Sequence, residues 1–393
     1  LNYRINLISS DLFKKKFKTS SHFQLIEWNE VPEIIRNSLY ELYDELEVYG
    51  VFMPSNSSGF LPKVAYKEVA LVYFHLLHHR NLPRYIQMLN EQKTRETLVQ
   101  MVLDDILQIE GEDGFQGGTQ SVSALFGDYF GKEENYSVYL NQLSLEAIRF
   151  AMALPNTPLK ILSQKLYTYN AFPIPEPEGI LEKPHFEALS FVFNNLSEEE
   201  KAEFAKIWLR PSQNRNSGWI NFHRAQSQTI MGRNSNKSNF KLYLSPIFTD
   251  LPLVFKRIQT HLNSSQAFSF KFGENQRGLL RPDKFVLYFH SSEEALDTGH
   301  FLAGILSDLP VQGVPFTRQI GGTGMVSFGM DPPLQEVIQE IEGGSWRAQL
   351  ADILASSILV CKKKELDMES SLKYIKAQLY AHNIDPINWS PLF

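Results

Sequence analysis

Phe240-Lys241-Leu242-Tyr243-Leu244-Ser245, Ala267-Phe268-Ser269-Phe270-Lys271-Phe272 and Lys284-Phe285-Val286-Leu287-Tyr288-Phe289-His290 alternate between apolar and polar or phenolic residues. A period of two sends successive side chains to opposite faces, so each stretch is predicted to be a half-buried strand. Between the first two, Leu251, Val254, Phe255, Ile258 and Leu262 recur at helical spacing, which predicts a β-α-β unit with a right-handed crossover to parallel strands. If the Phe and Leu face rests on helices, the other face collects Lys241, Tyr243, Ser245, Ser269, Lys271, Lys284, Tyr288 and His290. Amines gathered on one surface repel unless an anion or carboxylate sits among them, which points to a phosphate or carboxylate ligand. Arg281 and Asp283, just before the third strand, add a planar guanidinium fork and an orienting carboxylate. The plainer alternative is a solvent face kept soluble by lysines. Two tyrosines on that face, and Arg277, Gly278 and Arg281 in the adjoining loop, weigh against it.

Outward from these strands, Trp219 to Arg224 reads as a further strand with Asn221 and His223 on one face. Ser197 followed by three glutamates reads as the capped start of a helix reaching about Leu209. Helices are also predicted from about Glu293 to Leu306, from Trp346 to Lys362 and from Met368 to His382. Residues 31–107 show helical spacing throughout, so residues 1–175 are predicted to be a mainly helical region. The glycine-rich acidic run Glu110 to Gly118 is read as a surface loop. Alternate prolines in Phe172 to Gly179 favour an extended boundary, and residues 180–393 form the second region. The expected fold class is α+β, with a helical N-terminal region followed by a small mixed sheet covered on one face by helices.

The chain of 393 residues is 43% hydrophobic and 21% charged, which is ordinary globular usage and argues against long disordered tracts. Net charge is −6 and pI about 6.0, so no global field draws it to nucleic acid or anionic lipid, and neither is an expected partner. The single Cys361 cannot form an internal disulfide or a thiolate zinc site. Lys14-Lys15-Lys16 interrupts the place where a signal peptide needs its apolar stretch; a cytoplasmic location is expected, and release as an effector by an unconventional route is compatible with it. No apolar window approaches the roughly 20 residues of a membrane span. His75 and His79 lie one helical turn apart but lack an acidic third ligand, so no metal is expected. Gly321 to Gly324 reads as a tight turn, Lys14 to Lys18 as a mobile solvated terminus, and no cofactor motif is present.

The run Phe268-Ser269-Phe270-Lys271, then Arg281-Pro282-Asp283-Lys284-Phe285-Val286-Leu287-Tyr288, with Gly313-Val314-Pro315-Phe316-Thr317 and Ser327-Phe328-Gly329 beyond, resembles the C-terminal region of the HopA type III effector family. It covers about residues 215–335 and leaves 1–200 unexplained. Relatives of that family resemble phosphothreonine lyases and lyase components of lanthipeptide biosynthesis, so the resemblance implies β-elimination of phosphate from phospho-Ser or phospho-Thr. In that pattern a Lys-x-His strand precedes a base lysine and then an arginine. Here Lys241-x-Tyr243, Lys271 and Arg281 keep the spacing, but Tyr243 stands where the pattern has its histidine. The implied roles are base for Lys271, charge stabilisation for Lys241, and phosphate protonation or binding for Tyr243. Phosphate would be held by Arg281 and Lys241, with Arg224 and Arg233 as further cations, and Asp283, Tyr288 and His223 would support the site, His223 being the alternative acid. Expected partners are a phosphorylated peptide or protein and a kinase or host protein. The other reading is a non-catalytic effector or interaction protein that uses the same basic face.

Overall fold

In the computed structural model, residues 11–40, 47–55, 62–89, 91–127, 138–171, 187–211, 218–225, 240–331 and 345–391 are described. Strands β1 (Trp208–Leu209), β2 (Trp219–Arg224), β3 (Phe240–Leu244), β4 (Ser269–Gly273), β5 (Phe285–Phe289), β6 (Arg318–Ile320) and β7 (Val326–Met330) make one seven-stranded sheet. Its spatial order is β6-β7-β3-β5-β4-β2-β1. Every neighbouring pair is antiparallel, which corrects the expectation of a mixed sheet. Strands β3 and β4 do run parallel to each other, but β5 lies between them and pairs with both. The β-α-β unit is therefore split. The inserted strand is the most apolar of the three, with Phe285, Val286, Leu287 and Phe289 all buried, so the central place removes most apolar surface from water.

The helices include α1 (Leu159–Tyr167), α2 (Glu198–Ile207), α3 (Leu251–Ser264), α4 (Ser292–Ile305), α5 (Trp346–Lys363) and α6 (Met368–Ala381). The capping box read at Ser197 forms with Glu200. One apolar layer joins α2, α3 and α4 to the Phe and Leu face, where Phe193 stacks on Phe255 at 4.6 Å and Phe222 on Phe270 at 4.8 Å. A second core runs from Leu12 through α1 to α5, α6 and Trp389, with α5 laid against α1. The ends of those two helices therefore reach the polar side of the sheet.

The N-terminal region is not purely helical. A four-stranded sheet contains Lys16–Thr19 and Leu107–Gly111, and a three-stranded sheet contains Phe23–Glu27, Val48–Pro54 and Lys63–Tyr66. The Lys14–Lys18 segment is thus largely strand, and Lys15 Nζ donates to Ala124 O at 2.8 Å. The acidic glycine run read as a loop forms the end of a hairpin, Leu107–Gly111 paired with Gly114–Gln116. Gly114 makes the turn at φ +105°, a backbone state that glycine adopts without a Cβ penalty. Gly321 to Gly324 makes the turn between β6 and β7, as its composition implies. The proline-rich stretch 172–179 lies outside the described residues. No helix among the described residues is long and apolar enough to cross a membrane.

Candidate functional site

Register places the chemistry-bearing residues in two rows across the sheet. Lys241, Tyr288, Ser269 and His223 form one row, and Tyr243, Val286, Lys271 and Asn221 form the next. Strand β7 adds Gly329 opposite Lys241 and Ser327 opposite Tyr243. Gly329 has a steric reason: a Cβ there would stand 3.1 Å from Tyr243 Cε2, so glycine leaves room for the phenol.

Above these rows lies a cavity of about 380 Å³ lined by Lys241, Tyr243, Lys271, Arg281, Asp283, Val286 and Tyr288 from the sheet side. Tyr167 closes it from the end of α1, Ser345 and Arg347 from the start of α5, and Trp219 from the start of β2. The cations are held by two carboxylates and three rings, those of Tyr167, Trp219 and Tyr288. Lys241 Nζ donates to Asp331 Oδ1 at 2.5 Å and lies 5.3 Å from the centre of the Tyr288 ring. Arg281 binds Asp283 through Nε at 2.8 Å and Nη2 at 2.9 Å, and donates from Nη2 to Tyr167 Oη at 2.9 Å. Arg347 Nη1 lies 2.9 Å from the same carboxylate, while its Nη2 donates to Tyr167 O at 2.9 Å. The Lys271 amine differs from all of these. It stands 4.3 Å from the centre of the Trp219 ring and 5.6 Å from that of Tyr288, and no described residue offers it a hydrogen-bond acceptor.

These surroundings set the protonation states. Burial, then the neighbouring charge of Lys241, pulls the Lys271 pKa down to about 8; Arg281 adds to the shift while Asp283 opposes it. Burial alone would raise Asp283, but Arg347 and then Arg281 outweigh it and hold the carboxyl well below the usual range. Burial likewise opposes the charge of Arg281, and Asp283 more than restores it. Both phenols on the sheet are pushed up, by burial first and Asp331 next, so each remains a hydrogen-bond donor at neutral pH.

No family model matches the chain, and no curated protein matches it. The chain is similar in structure to bacterial effector proteins. The effector protein from Pseudomonas syringae pv. tomato strain DC3000 superposes with a TM-score of 0.36 at 14% identity, over 66% of this chain and 99% of that one. The effector from Pseudomonas syringae pv. syringae strain 61 gives 0.39 at 13%, over 64% and 96%. The type III effector and phosphothreonine lyase OspF from Shigella flexneri gives 0.25 at 16%, over 30% and 66%. The resemblance expected from the motifs is met as structural similarity at low identity.

Of the residues singled out in the sequence, Lys241, Tyr243, Lys271, Arg281, Asp283 and Tyr288 share the cavity. Arg224 and His223 do not join them. Arg224 donates to the carbonyls of Leu262, Asn263, Ser265 and Ala267, so four of its five N–H donors are spent at the C-terminal end of α3, and it does not line the cavity. His223 keeps to the outer part of its row, with burial lowering its pKa. Arg233 lies outside the described residues. Lys284 is fully buried against Pro246 and Gln312, Ser245 donates to Pro282 O at 2.6 Å, and His290 stacks on Phe268. His75 is spent on Leu71 O at 2.9 Å and Tyr85 Oη at 2.5 Å. Sequence reasoning missed Tyr167, Trp219, Asp331 and Arg347. Trp219 alone carried a signal, since it shares the parity of Asn221 and His223.

Proposed function

We propose that the cavity takes the phosphoryl group of a phosphorylated serine or threonine in a peptide or protein, and that Lys271 then drives its elimination as phosphate. The carrying observation is charge. Among the described residues, Lys241, Lys271, Arg281 and Arg347 face the carboxylates of Asp283 and Asp331, which leaves an excess of two positive charges for a dianion to neutralise. Desolvated cations this close repel one another strongly, so an oxyanion of matching charge stabilises the site that holds it. Arg281, fixed by Asp283 and Tyr167 through Nε and Nη2, keeps its two Nη1 hydrogens for phosphate oxygens.

Removing the α-proton of a phosphorylated residue builds negative charge on the adjacent carbonyl oxygen. Lys241 is suited to stabilise that charge, and Lys271 to take the proton, because its amine is poised near neutrality and has no competing acceptor. Tyr243 remains protonated and hydrogen-bonds the bound anion. A kinase acting beforehand would supply the phosphorylated substrate. The second reading, a binding module without chemistry, draws on Tyr243 standing where the lyase pattern has a histidine.

Phosphothreonyl and phosphoseryl peptides incubated with the protein should lose the mass of phosphoric acid. Lys271→Ala should slow that loss on the order of 10³-fold while phosphopeptide binding, followed by calorimetry, persists. A wild-type protein that binds a broad panel of phosphopeptides and eliminates none would overturn the catalytic reading and leave the binding module.

A further inference from the structure

We propose that Tyr167, which reaches the cavity from the N-terminal part of the chain, gives the departing phosphate its proton. The inference rests on the elimination reading above and adds a catalytic residue to it. Its basis is a count of hydrogens. Tyr167 Oη accepts an N–H from Arg281 Nη2 at 2.9 Å, and its ring lies 5.4 Å from the Arg281 guanidinium and 5.0 Å from that of Arg347. Guanidinium groups carry donors only, so neither arginine can take the phenol's own hydrogen. No other described residue accepts it, although the side chain lines the cavity. That O–H is therefore left for an acceptor that the ligand brings.

The bridging oxygen of a phosphorylated serine or threonine becomes such an acceptor as its bond to carbon breaks. Arg281, the proposed phosphate clamp, holds the anion beside the phenol that it already binds. Tyr243 is placed less well for this role, being buried close to Asp331, whose charge opposes formation of a phenolate. The step balances as follows. The neutral Lys271 amine takes the Cα proton, and the C–H electron pair becomes the Cα=Cβ bond. The Cβ–O bond breaks, its electron pair stays on the phosphate oxygen, and the Tyr167 proton joins that oxygen. Phosphate leaves as the hydrogen phosphate ion, and water carries the Lys271 proton back to the phenolate. The sheet alone is thus an incomplete site, because its proton donor comes from helix α1.

The experiment compares Tyr167→Phe with wild type on two peptides of one sequence, carrying either phosphoserine or S-phosphocysteine. Thiophosphate is the less basic leaving group and needs a proton less. The expected result is a fall in kcat of about 100-fold on phosphoserine and of less than about tenfold on S-phosphocysteine. Equal losses on both peptides, or no loss, with wild type active on both, overturn the assignment and leave the elimination reading intact. Wild type inactive on both overturns that reading and the assignment with it. Should the phenylalanine variant not fold, 3,5-difluorotyrosine placed at position 167 keeps the shape and makes the phenol more acidic. The fall in kcat at high pH should then move to lower pH; a limb that stays in place overturns the assignment.

Discussion

Two lysines on one face of the sheet sit in opposite kinds of surroundings. Lys271 stands between rings in an open cavity, with no acceptor for its ammonium hydrogens among the described residues. Lys284 is sealed from solvent, donating to Pro246 O at 2.7 Å and to the Gln312 side-chain oxygen. Gln312 in turn donates to the Asn170 and Leu280 carbonyls, while Asn170 and Tyr139 donate to its own backbone oxygen. Burial lowers both amines, Lys271 to about 8 and Lys284 to about 7. A depressed amine therefore marks burial and does not by itself mark chemistry. What separates the two is whether the hydrogens are already committed, and whether a ligand can reach them. Lys284 ties residues before the sheet to the sheet; Lys271 waits on something from outside.

Replacing each lysine by methionine tests that contrast through stability. At pH 9 the Lys284 amine is neutral, so substitution removes two hydrogen bonds without relieving a buried charge. It leaves Pro246 O and the Gln312 amide short of a donor, at a cost of about 2 kcal/mol. Lys271→Met removes no hydrogen bond and should stay within about 0.5 kcal/mol. Urea unfolding at pH 9 measures both, and equal losses would break the comparison.

The pH dependence sharpens it further. The folded-state pKa of Lys284 lies below its ordinary value of 10.5, so between those two values the unfolded chain binds the extra proton. The penalty for burying this charge is complete below about pH 7 and is relieved as pH rises from 7 toward 10.5. Lys271 acts with the same sign, but only from about pH 8 upward. From pH 7 to 8, wild type should therefore gain stability relative to Lys284→Met, by up to about 1.4 kcal/mol per pH unit. Relative to Lys271→Met it should gain much less over the same unit.

Alternation made the faces of β3, β4 and β5 legible, and with them the co-facial placement of Lys241, Tyr243, Lys271 and Tyr288. The local pair Arg281 and Asp283 was legible from its place in the loop just before β5. Parity could also have excluded Arg224, which shares the apolar side of its strand with Phe222. The order of the strands was not legible, because period two fixes which way a side chain points and says nothing of which strand is the neighbour. Tyr167 and Arg347 were hidden for a different reason. They sit at the ends of helices packed on one another through the second core, and nothing in spacing along the chain records that α1 and α5 finish over this face. The short N-terminal strands escaped because runs of four or five residues carry too few repeats to stand out from the helical spacing around them.

The smallest effect tests the comparison in the wild-type protein, with a variant used only to assign a resonance. A phosphate dianion in the cavity favours the charged form of an amine beside it, so inorganic phosphate should raise the Lys271 pKa above about 8. Lys284, already saturated and outside the cavity, should not respond. Reductive methylation with carbon-13 formaldehyde gives each accessible lysine a resonance that can be titrated with and without phosphate, and Lys271→Ala assigns the one that matters. By linkage, the same shift requires phosphate affinity to fall as pH rises through 8, by at most about tenfold per unit for the one proton involved. Affinity that stays constant from pH 7 to 9 would mean the anion sits elsewhere, and Lys271 would then be as much a structural lysine as Lys284.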